Sequence, residues 1–398
     1  MKIVFFTHPN FLGHQSMPRY ANWLARGMKG RGHQVNLWSP KGFFSALPVS
    51  NKSLKKWLGY LDQYVIFPMQ VKTRLRRLPP DTLFVFTDHA LGPWVPLVKD
   101  RPHIVHCHDF LAQRSAIGEI PENVTGQTGK IYQSYIRRGY SLGRNFISIS
   151  YKTQADLHRM LYESPPLSEV VYNGLTRKFT PADDVFLLRE ELSRETGIDL
   201  SAGFILHVGG NLWYKNKVGV IAAYEEWRNR SKQLLPLLLI GESPDDAIGA
   251  RINSSQYKTD IHPLAKMPDD FANKAYSAAS LFLFPSLAEG FGWPIVEAMA
   301  SGCPVITTDE APMNEVGGQA ALYVSKMQMG DELRWRKECA SVIDRTLQLS
   351  EEQRAKVVSR GLENVSRFSS ELALDKVEQV YMRVGSCISL RREPEFQN

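Results

Sequence analysis

The sequence has 398 residues, of which 43% are hydrophobic and 22% are charged. Its composition, with 28 glycines and 23 prolines, excludes disordered, collagen-like and fibrous proteins, and its length predicts two domains of about 150 to 200 residues each. The net charge of +7 fits an anionic partner, which a nucleic acid, a membrane surface or an acidic substrate would supply.

The positive charge is confined to the first half of the chain. Residues 1–176 contain 22 Lys and Arg against 10 Asp and Glu, which gives a net charge of +12. Residues 177–398 contain the remaining 26 basic and 31 acidic residues, which gives −5. An anionic partner is therefore expected on the first half.

The cysteines and the N-terminus predict a cytoplasmic protein. The four cysteines are dispersed and form no C-x-x-C pair, so a reducing compartment is expected. The apolar run at residues 3–6 is too short for the core of a signal peptide, and no run reaches the ~18–20 apolar residues that span a bilayer.

The first half alternates apolar runs with helical patterns, as strand-helix-strand units do. Strands are predicted at residues 3–6, 34–37, 83–86, 104–107 and 146–149, with a glycine-containing loop at 11–15 and a helix at 18–31. These runs are β-branched and aromatic without alternation, which indicates a parallel sheet covered on both faces. The turn signal Asn173-Gly174 follows, and the first domain is predicted to be residues 1–176.

The second half repeats this organisation. Strands are predicted at residues 204–208, 234–240, 281–284 and 305–307, within a domain of residues 177–370. A helical pattern begins near residue 371, and residues 371–398 are predicted to form a C-terminal helix that packs back on the first domain. Two doubly wound α/β domains follow. Because such sheets bind ligands at the carboxyl ends of their strands, the active site is expected in the cleft between the domains.

The strongest motif is the segment EGFGWPIVEAM, which runs from Glu289 to Met299 after a predicted strand. Pro294 suits the first turn of a helix, and a glycine-rich turn at a helix N-terminus offers unpaired N–H groups to a phosphate. A carboxylate beside a phosphate is expected only where it holds hydroxyl groups, as on a sugar or a ribose. The alternative is an ordinary strand-to-helix turn with surface glutamates.

The run from Phe284 to Val305, with its two glutamates eight residues apart, resembles the retaining glycosyltransferases of family 4. Further matching segments lie along nearly the whole chain, at residues 171–174, 207–211, 215–216 and 312–316. The resemblance implies the GT-B architecture, in which two Rossmann-like domains face a central cleft. It also implies sugar transfer from a nucleoside-diphosphate sugar, as co-substrate, with retention of anomeric configuration. The chain contains no Asp-x-Asp, so metal-independent catalysis without a cofactor is expected.

The resemblance also assigns site residues. Three residues are expected at the reacting groups: Lys215 on the diphosphate, Glu289 on the sugar hydroxyls and His108 on the transferred sugar. Donor-binding positions are Gly13, Gly209, Gly210, Asn211, Asn216, Gly290, Phe291, Gly292, Trp293 and Glu297, the last on the ribose. Apart from the resemblance, the candidates for acceptor binding are His14 in the first loop, and His89 and Asp109, which follow the ends of predicted strands. No metal ligand is assigned, and the pair His106 and His108 lacks a third ligand that would make it a metal site.

The chain departs from the family pattern at two places. Relatives usually have an arginine five residues before Lys215, where this chain has Gly210. Asn211 or a residue of the other domain supplies the missing hydrogen bonds, or the diphosphate is held less tightly. Relatives often have two adjacent glycines in the first loop, where this chain has only Gly13, which can still present its N–H to a phosphate. His14 is either an acceptor contact or an ordinary loop histidine.

Two segments of the basic half, residues 51–61 and 70–78, mix cations with Leu, Trp and Tyr. Each is either a helix on an anionic membrane surface or a helix with its apolar face on the core. A peripheral location on the inner face of the membrane and a lipid-linked or other anionic acceptor follow from the first interpretation. Nucleic acid is not expected as a partner, because no reader module is present.

The predicted function is transfer of a sugar to a saccharide or lipid-linked acceptor, in the synthesis of a cell-surface polysaccharide or glycoconjugate. One alternative is a GT-B sugar-nucleotide epimerase. Another is a non-catalytic nucleotide-sugar binding protein, which Gly210 and the altered first loop favour and which the presence of Lys215, Glu289 and Glu297 opposes.

Overall fold

The structure is a computed structural model that describes residues 1–13, 16–268 and 270–386. The chain divides into two compact units. The first unit comprises Met1–Gly174 together with the chain from Ser370 onward, and the second comprises Leu175–Ser369. Each unit contains one sheet, so the two are described separately.

The described residues of the first unit form a six-stranded sheet in which every pairing is parallel. Its strands are β1 (Lys2–Phe6), β2 (Gln34–Trp38), β3 (Leu83–Phe86), β4 (His103–Cys107), β5 (Asn145–Ser148) and β6 (Leu167–Val170). Their order is β2-β1-β3-β4-β5-β6. The inner strands β3 and β4 are buried throughout, as expected of a parallel sheet with helices on both faces.

Helices cover both faces of this sheet. They are α1 (Ser16–Gly30), α2 (Lys52–Leu61), α3 (Phe67–Leu75), α4 (Leu111–Ala116), α5 (Gln127–Tyr140), α6 (Tyr151–Met160) and, from the end of the chain, α15 (Ser370–Ser386). A π-helical turn, Asp62–Ile66, joins α2 to α3 without a break. The connections also include two 3₁₀ segments, Asn10–Leu12 and His89–Leu97.

Helix α15 is part of the first unit's core. Leu374, Val377 and Tyr381 are buried in one cluster with residues of α1, β1, β3 and β4. Gly27 of α1 gives Leu374 its space, since a Cβ there would lie 2.4 Å from the leucine side chain. At the rim, Arg31, the residue after α1, pairs with carboxylates of α15, the nearest at 2.7 Å.

The second unit has its own six-stranded parallel sheet among the described residues, in the order β12-β11-β10-β7-β8-β9. The strands are β7 (Ile205–Gly209), β8 (Leu237–Gly241), β9 (Ile261–Ala265), β10 (Leu281–Phe284), β11 (Val305–Thr308) and β12 (Leu322–Val324). The helices are α7 (Val185–Thr196), α8 (Lys217–Arg228), α9 (Asp246–Asn253), α10 (Phe271–Ala278), α11 (Trp293–Ala300), α12 (Met313–Gly317), α13 (Glu332–Leu347) and α14 (Glu351–Val365). Short 3₁₀ segments are Trp213–Lys215, Lys258–Asp260 and Ser366–Phe368. The predicted fold class, α/β with two doubly wound sheets, is confirmed.

Both sheets have a point where the strand order reverses, and ligands of open α/β sheets bind there at the carboxyl ends of the strands. In the first unit the reversal lies between β1 and β3, and in the second unit it lies between β7 and β10. The loops that follow these four strands are therefore the first places to look for a site. In the part of the chain that the structure describes, no helix has the length and apolarity needed to cross a membrane.

Candidate functional site

In the second unit, two predicted site residues meet at the reversal point. The Lys215 ammonium donates to Glu289 Oε1 at 2.7 Å, and the Ser286 hydroxyl donates to the same oxygen at 2.9 Å. Both charged side chains are mostly buried, with 15% of Lys215 and 8% of Glu289 exposed. Glu289 is thus held in place by a cation and a hydroxyl.

Two hydrogen bonds tie the loop after β7 to the loop after β10. The N–H of Leu287 donates to the carbonyl of Tyr214 at 2.8 Å, and the Asn216 side chain donates to the carbonyl of Pro285 at 3.0 Å. Asn216 has φ of 55° and is buried. Its amide therefore joins the two loops, and donor binding by Asn216 stays a prediction. The link between the loops fixes Lys215, the preceding residue.

Gly209 leaves room for the Lys215 side chain. A Cβ at Gly209 would lie 3.4 Å from both Lys215 Cδ and His207 Nε2, so any side chain there would crowd the lysine stem. The Lys215 ammonium also lies 5.0 Å from the centre of the Phe284 ring, a distance at which a cation is attracted to an aromatic face. Gly209 therefore contributes to the site by leaving space for the Lys215 side chain.

A carboxylate occupies the position beside Gly210, where the family pattern has an arginine. A Cβ at Gly210 would lie 3.3 Å from Glu242 Oε1, and Glu242 also accepts the backbone N–H of Asn211 at 3.0 Å. The Asn211 amide donates to the carbonyl of Ser243 at 2.6 Å. Asn211 is thus fixed by its neighbours on the loop after β8.

Lys217, which the sequence analysis did not single out, brings a second cation to this loop. Its ammonium donates to Asn211 Oδ1 at 2.8 Å, and only 5% of the residue is exposed. Burial lowers the pKa of Lys217, and the charges of Glu242 and Asp245 oppose that effect. The signal available in the sequence was a lysine two residues after Lys215, at the first position of α8.

His207 lies beside both lysines in its neutral form. Its Nδ1–H donates to the carbonyl of Leu283 at 2.9 Å, and its Nε2 has no hydrogen-bond partner among the described residues. Burial, reinforced by the charges of Lys217 and Lys215, lowers the pKa of His207 to about 3. The positive charge at this strand end therefore comes from the lysines.

The glycine-rich turn leads into α11 as predicted. Gly292 precedes the helix with φ of 103°, a conformation that favours glycine, and Pro294 lies in the first turn. The side chain of Phe291 is buried against Phe368 and Trp293, so it packs the turn instead of facing a ligand. Glu297, in the second turn of α11, accepts a hydrogen bond from the buried hydroxyl of Tyr276 at 3.1 Å.

In the first unit, His108 lies just beyond β4. Its Nε2–H donates to the carbonyl of Thr87 at 2.8 Å, which leaves Nδ1 as the lone-pair nitrogen. Burial lowers the pKa of His108, and the charge of Asp88 opposes that effect. His108 is therefore neutral, and toward a sugar it would act as an acceptor.

His106 has a structural role. It lies in the core between Tyr20 and Tyr381, whose hydroxyls are 2.9 and 2.7 Å from its two ring nitrogens. Burial lowers its pKa to about 3. His106 and His108 do lie on the same side of the strand, since both rings contact Tyr20.

The structure places two of the predicted acceptor residues, His89 and Asp109, in different surroundings. His89 is buried, 4.5 Å from the Phe110 ring centre, with Nδ1 2.9 Å from Asp88 Oδ1. Burial lowers its pKa, but the charge of Asp88 outweighs this and the pKa is raised. The structure therefore places His89 in the core. Asp109 is half-buried and accepts the N–H of Leu111, at the beginning of α4.

The first loop contains Gly13, a predicted donor-binding residue. The N–H of Gly13 donates to the carbonyl of Asn10 at 3.1 Å and closes the 3₁₀ turn, with φ of 71° at the glycine. Donor binding by Gly13 stays a prediction. His14 lies outside the described residues. Within the described ranges, no three His, Cys, Asp or Glu side chains converge as a metal site would require.

Two family profiles match the chain, one in each half. The family described as Glycosyltransferase Family 4 matches residues 17–178, and the family described as Glycosyl transferases group 1 matches residues 189–321. The second match includes Lys215, Glu289 and Glu297.

Individual proteins match over shorter segments. The O-antigen chain mannosyltransferase B of Escherichia coli is 34% identical over 122 residues, which are 30% of this chain and 32% of that protein. The O-antigen chain mannosyltransferase RfbU of Salmonella typhimurium is 23% identical over 201 residues, 50% of this chain and 51% of that protein. The matches thus span about a third to a half of the length of these curated relatives.

Among solved structures, Anabaena Alr3699/HepE in complex with UDP and glucose matches with a TM-score of 0.67 at 18% identity. The match covers 98% of this chain and 99% of that one. At this identity the similarity concerns the fold.

Proposed function

The chain belongs to the family 4 glycosyltransferases of the GT-B fold, as its motifs predicted, and on this premise we propose that it transfers a sugar from a nucleoside-diphosphate sugar. The acceptor is a saccharide or a lipid-linked saccharide. We assign the donor to the second unit and the acceptor to the first.

One observation carries the donor assignment: Lys215 and Glu289 form a buried ion pair at the reversal point of the second sheet. A bound diphosphate would draw the Lys215 ammonium to its oxygens. The freed Glu289 carboxylate would then accept hydrogen bonds from hydroxyl groups of the sugar. The leaving diphosphate gains charge in the transition state, and fixed cations at that point are among the largest contributions to catalysis. Lys217 follows the same loop, at the first position of α8, and supplies the second cation that Gly210 cannot.

We propose that the anomeric configuration is retained without a covalent intermediate. The bond between the anomeric carbon and the diphosphate oxygen breaks with its electron pair on the oxygen. The acceptor hydroxyl attacks the anomeric carbon from the same face and gives its proton to a phosphate oxygen. We expect the product to have the anomeric configuration of the donor by NMR; an inverted product, or a sugar covalently bound to Glu289, would contradict this mechanism.

We also propose that this reaction needs neither a metal nor a cofactor. Lys215, Lys217 and the N-terminus of α11 provide the positive charge that a divalent cation supplies in other sites. Activity is expected to survive dialysis against EDTA. A loss that Mg²⁺ or Mn²⁺ restores would show that the lysines are insufficient.

Binding of nucleotide sugars tests the donor assignment directly. A panel of UDP-, GDP- and ADP-sugars should contain one member that raises the unfolding temperature, because a ligand at 100 times its Kd stabilises by about 2.7 kcal/mol. The matching free sugars and inorganic phosphate serve as controls for effects unrelated to the nucleotide. A flat response to the whole panel would remove the basis of the proposed activity.

Two of the relatives that match this chain are named as O-antigen chain mannosyltransferases, which supports a place in cell-surface polysaccharide synthesis. We therefore expect the acceptor to be a growing saccharide, and the transferred sugar to be a hexose. Incubation with GDP-mannose, UDP-glucose and a lipid-linked oligosaccharide fraction, followed by mass spectrometry of the products, would identify the transferred mass.

The surface of the helix that runs from α2 to α3 supports a peripheral membrane location. Five apolar side chains on it, hereafter the apolar stripe, are exposed at a spacing of three or four residues: Leu54, Trp57, Leu61, Val65 and Met69. Trp57 and Met69 are exposed by 65% and 63%. Lys55, Lys56 and Lys72 are exposed on the same helix. Of the two sequence interpretations, this exposure favours an anionic membrane surface on the cytoplasmic side.

Flotation with anionic liposomes tests the membrane location. The wild-type chain is expected to float with phosphatidylglycerol-containing vesicles at low salt, and the variant Leu54→Ser/Trp57→Ser should float at least tenfold less. Leu234→Ser, at an exposed leucine of the second unit, is the matched control and should not change flotation. Equal flotation of all three proteins, or flotation of none, would contradict membrane binding through the apolar stripe.

A further inference from the structure

A cavity of about 160 Å³ opens at the reversal point of the first sheet. Its walls come from the segments that follow β1 and β3, including both 3₁₀ segments of this unit, and from the π-helical turn and α5, with His8, Tyr64, Ala90, Trp94, Tyr132 and Gln133 among the lining residues. We propose that this cavity binds one neutral sugar ring of the acceptor. The inference rests on the proposed function, and it names a ligand class and residues that the family resemblance did not assign.

The cavity lies at the edge of the sheet where open α/β sheets usually bind ligands. His8 is the second residue after β1, and Ala90 is the fourth residue after β3. These are the two strands between which the order of the first sheet reverses. The same edge of the second sheet carries Lys215 and Glu289, so each sheet has a candidate binding site where open α/β sheets usually bind their ligands.

The size of the cavity limits the ligand. A cavity of about 150 Å³ in a protein core accommodates benzene, so 160 Å³ is the scale of a single six-membered ring. A nucleotide, which combines a base, a ribose and phosphates, requires several times this volume. The ligand is therefore one ring of a larger molecule or a monosaccharide.

Aromatic side chains form one wall, and their orientations are fixed. The Trp94 indole N–H donates to the carbonyl of Gln63 at 2.9 Å, and Tyr60 stacks on Tyr132 with ring centres 5.5 Å apart. Tyr64 packs edge-on against Tyr132. Rigid aromatic rings bury the apolar face of a ligand at a low entropy cost, which suits the C–H faces of a sugar ring.

Hydroxyl and amide groups on the same wall would recognise the sugar's hydroxyls. The hydroxyls of Tyr64 and Tyr132 are 2.7 Å apart, so one donates to the other and the pair retains one proton to donate. Burial raises the pKa of Tyr64, which keeps that hydroxyl protonated. The Gln133 carbonyl oxygen accepts from Gln113 at 2.7 Å, which directs its amide N–H groups elsewhere.

The charges around the cavity argue for a neutral ligand. No lysine or arginine is among the described residues that line it. His8 lies against Asp88, with Nε2 2.9 Å from Oδ2, and burial of Asp88 is outweighed by the two neighbouring histidines, which hold its pKa well below the usual range. His8 and His89 are already paired with this carboxylate, so neither can offer its charge to a phosphate without breaking that pair. A neutral hydroxylated ring would instead find hydrogen-bond donors and acceptors in the cavity wall.

The first test uses a variant that fills the cavity with a larger side chain. Because no core side chain is removed, this variant should remain folded. Ala90→Leu adds three carbons to a residue that lines the cavity, and Ala112→Leu, at an exposed alanine of α4, is the matched control. Saturation-transfer NMR on the full chain would use the methyl glycosides of mannose, glucose and N-acetylglucosamine as probes. The wild type and Ala112→Leu should bind at least one probe, and Ala90→Leu should lose that binding by tenfold or more.

A second pair of variants tests the hydroxyl contact. Tyr132→Phe removes a hydroxyl from the cavity and should weaken binding of the same probe about 2- to 12-fold, the value of one hydrogen bond. Tyr135→Phe removes a hydroxyl from the same helix outside the cavity and should leave binding unchanged. Unfolding temperatures of all four variants would show that each is folded.

The outcomes separate this inference from the proposed function. Probe binding that Ala90→Leu leaves intact, or a wild type that binds no probe, overturns the cavity assignment even when a nucleotide sugar binds the second unit. Failure of every nucleotide sugar to bind overturns the proposed function, while the probe experiment still decides whether the cavity is a sugar site.

Discussion

The two units use the same edge of the same kind of sheet for different chemistry. At the reversal point of the second sheet lie the buried charges Lys215, Lys217 and Glu289. At that of the first sheet lie tyrosine hydroxyls, an amide and the Asp88 carboxylate paired with His8 and His89, and no lysine or arginine is among the described residues that line the cavity. The difference indicates that the fold provides only the location. The loops decide whether the ligand is a diphosphate, which needs fixed cations, or a hydroxylated ring, which needs aromatic faces.

Removing the main cation should produce the largest effect. In Lys215→Met, transfer activity is expected to fall about 100- to 1000-fold, the effect of removing one group that stabilises transition-state charge. Glu289 would lose its ion pair and keep only Ser286, so the unfolding temperature should fall as well. Lys258→Met, at the start of a 3₁₀ segment on the same unit, is the control. Unchanged kcat/KM in Lys215→Met would mean that the charge contrast between the units has no catalytic role.

The second cation should have a smaller effect, mainly on donor binding. Lys217→Met is expected to raise the Kd of the nucleotide sugar about 10- to 100-fold, the range for a charge-assisted hydrogen bond. Lys217→Arg should recover part of the affinity, because it keeps the charge. Calorimetric titration measures both. If Lys217→Met binds as tightly as the wild type, Lys217 only supports Asn211, and the second unit relies on one cation.

Both units should lose stability as the pH falls, because each has a buried neutral histidine. The pKa values of His106 and His207 are both lowered to about 3, from an ordinary value near 6.5. The folded state therefore binds fewer protons than the unfolded state between these pH values. The stability from each histidine is complete above pH 6.5 and declines on acidification by up to about 1.4 kcal/mol per pH unit.

Urea unfolding at pH 7, 6, 5 and 4 would measure this decline. His106→Gln should have a shallower pH dependence than the wild type, even if it is less stable at pH 7. His158→Gln, at an exposed histidine, is the matched control and should keep the wild-type slope. Parallel slopes for His106→Gln and the wild type would show that His106 does not contribute to acid sensitivity.

The smallest expected effect concerns the position of Glu297. Tyr276→Phe removes the hydroxyl that donates to Glu297 and keeps the buried ring. The KM for the nucleotide sugar should rise about 2- to 12-fold with kcat little changed, because ground-state and transition-state binding weaken together. Tyr257→Phe, whose hydroxyl bonds to Asn229, is the control. A large fall in kcat would mean that Tyr276 acts on the reacting groups and not on binding alone.

The sequence predicted the inner strands well and three edge strands, β6, β9 and β12, not at all; β6 was missed because its residues, LSEV, are half-buried and form no apolar run. The buried runs that became β3 and β10 were located to the residue, because a strand buried on both faces is a continuous apolar run. β9 was missed because it contains Pro263, which an edge strand tolerates, and β12 because it has only three residues.

The candidate site was predicted where its residues are contiguous. The segment around Glu289 could be identified because a strand, a turn and a helix start follow one another in the chain, whereas Lys215 was assigned through the family resemblance. The cavity of the first unit could not, because its lining comes from residues near 8, 64, 90 and 132. No local pattern joins these segments, which are brought together by the pairing of β1 with β3 and by the packing of Tyr64 on Tyr132.

The π-helical turn Asp62–Ile66 has a mechanical consequence for the helix that contains it. Gln63 and Tyr64 face the cavity, whereas Leu61 and Val65 belong to the apolar stripe, so one wide turn serves two surfaces. The turn is fastened from the side, since Asp62 accepts the N–H groups of Phe44 and Ser45. Deleting a single residue here would rotate everything beyond it by about 100°. A sugar bound in the cavity and a bilayer in contact with the apolar stripe would then no longer contact the same stretch of helix.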